Sequence, residues 1–127
     1  MFAKAGTYFK KIVVFMVAVC IVTGVLVQPA KAAQANAKLD ETVTKLVDKQ
    51  VKEKDSAKKK LKKLFAYIQK DYDYARKTGF EAYDGWEKDY ALEMYEDQKG
   101  SCYHYAAGYA FLAKKATGYS VRIGVGQ

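Results

Sequence analysis

A chain of 127 residues, half of them hydrophobic, holds one small domain at most. Its net charge of +8 raises nucleic acid as a partner, but the lysine run Lys58–Lys63 carries no aromatic suited to base stacking, so none is expected. Neither a metal nor a cofactor is expected, because no further ligands gather near Cys102 and His104.

Residues 1–32 read as an export signal. Lys4, Lys10 and Lys11 form a basic start, and Ile12–Val27 is an apolar run. Pro29 ends it, and Ala30-Lys31-Ala32 has the small residues of a cleavage site. The run is short for a membrane span, which takes about 20 residues. Cleavage after Ala32 predicts a secreted or cell-surface protein with no further membrane contact; the alternative is an uncleaved N-terminal anchor. Lys4, Lys10, Lys11 and Lys31 hold half of the net charge, so residues 33–127 are only modestly basic. The lysine run reads first as a solvated helix face, with weak attraction to an anionic cell wall or membrane surface as an addition. Cys20 leaves with the signal, so Cys102 is a lone thiol in an oxidising setting. It is either a buried structural residue or a reactive one.

Residues 33–55 read as a linker, Ala33–Lys38, and then an amphipathic helix. Leu39, Val43, Leu46, Val47 and Val51 fall on one helical face. Glu53–Ser56 breaks the pattern, and Asp55 or Ser56 can cap a second helix, expected from Ser56 to Lys77. Its stripe is Leu61, Leu64, Phe65, Ile68, Tyr72 and Ala75. Thr78-Gly79 stops it. Phe80–Gly85 reads as a loop and Trp86–Glu96 as a short third helix. Most of the eleven tyrosines are expected to fill a half-buried core with their hydroxyls wet.

Asp97–Ser101 leads into the segment with the chemistry. Gly100 breaks the chain, Ser101 can cap a helix, and Cys102 falls in its first turn. There the free N–H groups and the helix dipole favour a thiolate. Gly118 sits where a helix end takes a positive φ. Val121, Ile123 and Val125 then alternate with Ser120, Arg122 and Gly124, which is strand spacing. A cysteine nucleophile needs a base. His104, the only histidine, stands about 200° round the helix from Cys102. It is therefore expected to pack or hydrogen-bond, not to serve the thiol as base or co-ligand.

Gly100-Ser101-Cys102, Ala106-Ala107, Leu112, Gly118-Tyr119-Ser120-Val121-Arg122 and Gly126 resemble the cysteine segment of the transglutaminase-like superfamily. Tyr67-Ile68 and Tyr72 resemble the helix upstream of it, and the likeness spans about residues 56–127. It is closest to exported bacterial transglutaminase-like proteins. The resemblance implies an α+β, papain-like fold, of which this chain would supply three to four helices and a first sheet strand. It implies Cys102 as the nucleophile of an acyltransferase or amide hydrolase. The substrates would be proteins or peptides, through Gln and Lys side chains or peptide amides. No position matches the family's histidine and aspartate. The chain is accordingly expected to be an N-terminal piece, inactive alone, whose reading frame continues into strands bearing both. Two other readings stand beside this one: a non-catalytic surface module of the same fold, and a small helical protein with a buried thiol.

Overall fold

The computed structural model describes residues 27–126. Two compact units divide between Ala35 and Asn36, and the second, Asn36–Gln127, holds the core and the candidate site. The apolar run expected to form the signal lies outside the described residues, apart from Val27. Among the described residues no helix is long and apolar enough to cross a membrane.

Among the described residues there are four helices and two very short strands: α1 (Val27–Gln50), α2 (Ala57–Asp71), β1 (Asp73–Tyr74), α3 (Trp86–Asp97), β2 (Lys99–Gly100) and α4 (Cys102–Thr117). β1 and β2 pair in parallel, Asp73 with Lys99 and Tyr74 with Gly100. Helices with one small sheet agree with the α+β class expected for part of a transglutaminase-like fold.

The apolar stripes meet in one core. Leu39, Val43 and Val47 of α1 join Leu64 and Ile68 of α2, Trp86, Ala91, Met94 and Tyr95 of α3, and Ala107 and Leu112 of α4. Leu64, Met94 and Leu112 are wholly buried. Each buried Leu-sized side chain contributes roughly 1.5–3 kcal/mol.

Three local expectations are corrected. Ala33–Lys38 is helical, not a linker. Alanine has the highest helix propensity, and this stretch is exposed, so no apolar period marks it. The helix expected to reach Lys77 ends at Asp71, with Tyr72 extended. Asp73 N–H donates to the Gln98 carbonyl at 3.0 Å and Ala75 N–H to that of Gly100 at 2.9 Å. This cross-chain pairing replaces the helix bonds that the stripe would have continued. Val121–Val125 forms no strand among the described residues. Ile123 packs on the core while Val121 and Val125 stay exposed, so the alternation is real but no partner strand pairs with it.

Most tyrosines are half-buried or exposed, and three of them direct their hydroxyls to backbone carbonyls. Tyr95 donates to the Gly108 carbonyl at 2.5 Å, Tyr105 to that of Tyr72 at 2.7 Å and Tyr109 to that of Leu61 at 3.2 Å. They tie helices together, Tyr95 from within the core and Tyr105 and Tyr109 from half-buried places.

Ser56 caps α2, its hydroxyl accepting from the Lys59 N–H at 3.3 Å. Asp55, just before it, is buried. Lys63 at 2.5 Å, the Lys52 N–H at 3.0 Å and Lys59 at 3.2 Å all favour its carboxylate. Lys63 above all holds this carboxyl well below its ordinary value of 3.8. A depressed folded-state value stabilises the fold above the unfolded value, and that contribution is lost as pH falls through the folded one. Thermal midpoints should therefore drop as pH is lowered from 4 towards 2. Asp55→Asn should lower the midpoint at pH 7 and flatten this acid limb, as scanning calorimetry at both ends of the range would read. An unchanged acid limb would show that Asp55 is not the titrating group.

Candidate active site

Cys102 is the first residue of α4 and is exposed. This excludes the buried-thiol reading. Its place follows from the residues before it. Gln98 takes a left-handed turn at φ 53°, which ends α3. Lys99-Gly100 then runs beside Asp73-Tyr74. Gly100 is buried, and a Cβ there would stand 2.4 Å from the Cβ of His104. Only glycine lets β2 pass so close to the first turn of α4. Ser101 is the N-cap, extended at φ −83° and ψ −178°. At the other end, Gly118 closes α4 with φ 71°, its N–H donating to the Lys114 carbonyl at 2.8 Å.

His104 occupies the third helical position and is 1% exposed. It completes a capping box: its Nδ1 accepts from the Ser101 N–H at 3.1 Å and lies 2.9 Å from the Ser101 hydroxyl. With Nδ1 accepting, the neutral ring carries its proton on Nε2. Nε2 lies 3.3 Å from Glu93 Oε2, without a hydrogen bond of good geometry among the described residues. Lys77 pairs with Glu93 and, with a smaller contribution from His104, lowers its carboxyl from the ordinary value. Tyr90 meets the imidazole edge-on at 4.7 Å. Both ring nitrogens are thus turned to Ser101 and Glu93. The imidazole aligns the start of α4 and is not presented to the thiol.

The sequence expected a packing or hydrogen-bonding His104 and missed its particular partner. The signal was present in Ser101-x-x-His104, which is the capping-box spacing with an imidazole in place of the usual carboxylate or amide.

An aromatic cluster flanks the cysteine. Tyr103 stacks on Phe80 at 3.9 Å and 9°, and Phe80 meets Trp86 edge-on at 4.9 Å. These contacts fasten the loop after β1 to the first turn of α4. Among the described residues no group of three or more His, Cys, Asp or Glu could hold a metal ion.

This cysteine-headed helix, with the glycine strand before it and the capped first turn, lies within residues 44–127, which match the family model of the transglutaminase-like superfamily. The chain belongs to that superfamily. The match begins within α1, upstream of the likeness read from Ser56 onwards. Among curated proteins and among solved structures, nothing matches the chain.

Proposed function

We propose that the protein is an exported cysteine acyltransferase or amide hydrolase of the transglutaminase-like kind, acting on protein or peptide substrates with Cys102 as nucleophile. The observation that carries this reading is the exposed Cys102 at the head of a capped helix, inside the family-matched segment. In the reaction the Cys102 sulfur adds to an amide carbonyl, and the C–N bond breaks. The thiol proton passes to the departing nitrogen, which leaves as ammonia or an amine. The thioester then goes to a lysine amine, giving a cross-link, or to water, giving an acid. The Cys102 backbone N–H, free at the helix start, is suited to hold the oxyanion of the tetrahedral intermediate. The base is not His104, whose nitrogens face Ser101 and Glu93.

One observation favours a second reading, a non-catalytic surface module: the single histidine serves the helix cap instead of the thiol. Two measurements separate them. A longer form that carries the superfamily's histidine and aspartate should incorporate a fluorescent primary amine into casein or release ammonia from it, and Cys102→Ala should lower either rate about a thousandfold. Iodoacetamide at pH 6 should label Cys102 about tenfold faster than free cysteine. Ordinary labelling, with no turnover in that longer form, would overturn the catalytic reading and leave the module.

A further inference from the structure

Cys102, Ala106 and Tyr109 stand at i, i+4 and i+7 on α4 and share one face. Cys102 and Ala106 are exposed there. Beside this face runs a ledge of aromatic rings. Tyr74, 65% exposed, packs on Tyr105 with centroids 6.2 Å apart. Further along α4, Phe65, 52% exposed, meets Tyr109 edge-on at 5.8 Å.

The direction of the ledge is fixed by the bonds between α2 and α4. Tyr105 reaches the Tyr72 carbonyl, Tyr109 that of Leu61, and Lys60 Nζ that of Ala116 at 3.3 Å. The two helices are antiparallel, so the ledge leads from Cys102 towards the start of α2. There Leu61, Phe65, Tyr109 and Tyr119 line an open cup of about 420 Å³, with Lys58 and Lys62 beside it. Tyr119 is 61% exposed. Lys59 and Lys63 are paired with Asp55, and Lys60 with α4. Lys58 and Lys62 are exposed, one turn apart, and have no ion-pair or hydrogen-bond partner among the described residues.

An apolar cup with two unengaged ammonium groups beside it complements a ligand that carries an aromatic side chain next to carboxylates. We propose that this ledge is a docking track for a peptide substrate with acidic residues several positions from its reacting amide. The inference rests on Cys102 as the nucleophile and names the substrate class it would act on. From Cys102 to Ala116 the helix rises about 21 Å. An extended peptide covers that span in about six residues. The preferred substrate therefore carries its carboxylates about six residues from the reacting glutamine, with an aromatic residue just before them. A concave cup on a path from an exposed thiol suits a side chain better than a bilayer surface.

The test measures binding without chemistry. Two labelled peptides each carry one glutamine, a phenylalanine five residues away and, beyond it, either two glutamates or two lysines. Fluorescence anisotropy with the Cys102→Ala protein should show the glutamate peptide binding about tenfold more tightly. Lys58→Glu with Lys62→Glu should abolish or reverse that preference, and Phe65→Ser should weaken both peptides. All three side chains are exposed, so the variants should keep the parent's thermal melt. Equal affinities, or an unaltered preference in the charge-reversed variant, would overturn the proposal. So would capture by phosphatidylglycerol vesicles in place of the acidic peptide. A form that carries the superfamily's histidine and aspartate and is catalytically silent, yet still shows the preference, would refute the catalytic reading alone.

Discussion

Alanine at Gly100 should destabilise the fold by about 2–3 kcal/mol, the upper range for forcing extra volume into a packed site. The added Cβ would stand 2.4 Å from His104 Cβ and 2.7 Å from its Cγ. The first of these atoms is attached to the helix backbone, so no rotamer change clears it. Relief requires β2 to move away from α4. That movement strains the Ala75 N–H bond to the Gly100 carbonyl and the register of Tyr74 with Gly100. Urea unfolding should show a lower midpoint with an unchanged slope. Labelling of Cys102 should also change, because the clash lies two residues before it. A midpoint within error of the parent would mean that Gly100 and His104 do not touch.

His104→Ala is expected to cost about 3 kcal/mol, from two sources. Removing a fully buried ring leaves a cavity, and the Ser101 N–H loses its acceptor, which alone costs about 1–3 kcal/mol in a buried place. The edge contact with Tyr90 is lost as well. His104→Gln separates the two sources, since a glutamine at this position of a capping box can still accept from the N-cap N–H. It should recover part of the loss in the same urea titration. In a form that also carries the superfamily's histidine and aspartate, both variants would abolish turnover if this imidazole acted as the base. As a positioning residue it predicts that His104→Gln keeps most of the turnover and Cys102 labelling of the parent. Complete loss of turnover in a folded His104→Gln protein would reassign the residue to the chemistry.

Much of the site was legible because its determinants are close in the chain. Ser101 before Cys102, and Gly118 after the last helical residue, are signals read within one turn. The third helix was bounded to within one residue by Gly85 and by the apolar positions that follow. The core face of α1 was visible in Leu39, Val43 and Val47, all buried as their spacing requires. The start of α1 was not visible, because an exposed alanine-rich helix has no apolar period to display. Asp73-Tyr74 lay inside a helical pattern and Lys99-Gly100 inside a loop, and neither two-residue strand has a pattern of its own. The strand expected at Val121–Val125 carried the right alternation, yet a strand exists only by pairing.

The sequence by itself determined where α4 begins and ends, that a lone cysteine heads it, and that the histidine two residues on faces elsewhere. It also carried the likeness to the superfamily to which the chain belongs. These are properties of neighbours along the chain, governed by helix geometry and capping. Only the tertiary structure decided what holds Cys102 in place. Asp73-Tyr74, far back in the chain, pairs with Lys99-Gly100, and Gly100 fits because His104 fills the space that a side chain would need. Glu93 and Tyr90 come to the imidazole from α3. Backbone pairing and close packing join residues that the chain separates, and no local pattern of hydrophobicity or propensity encodes which of them will meet.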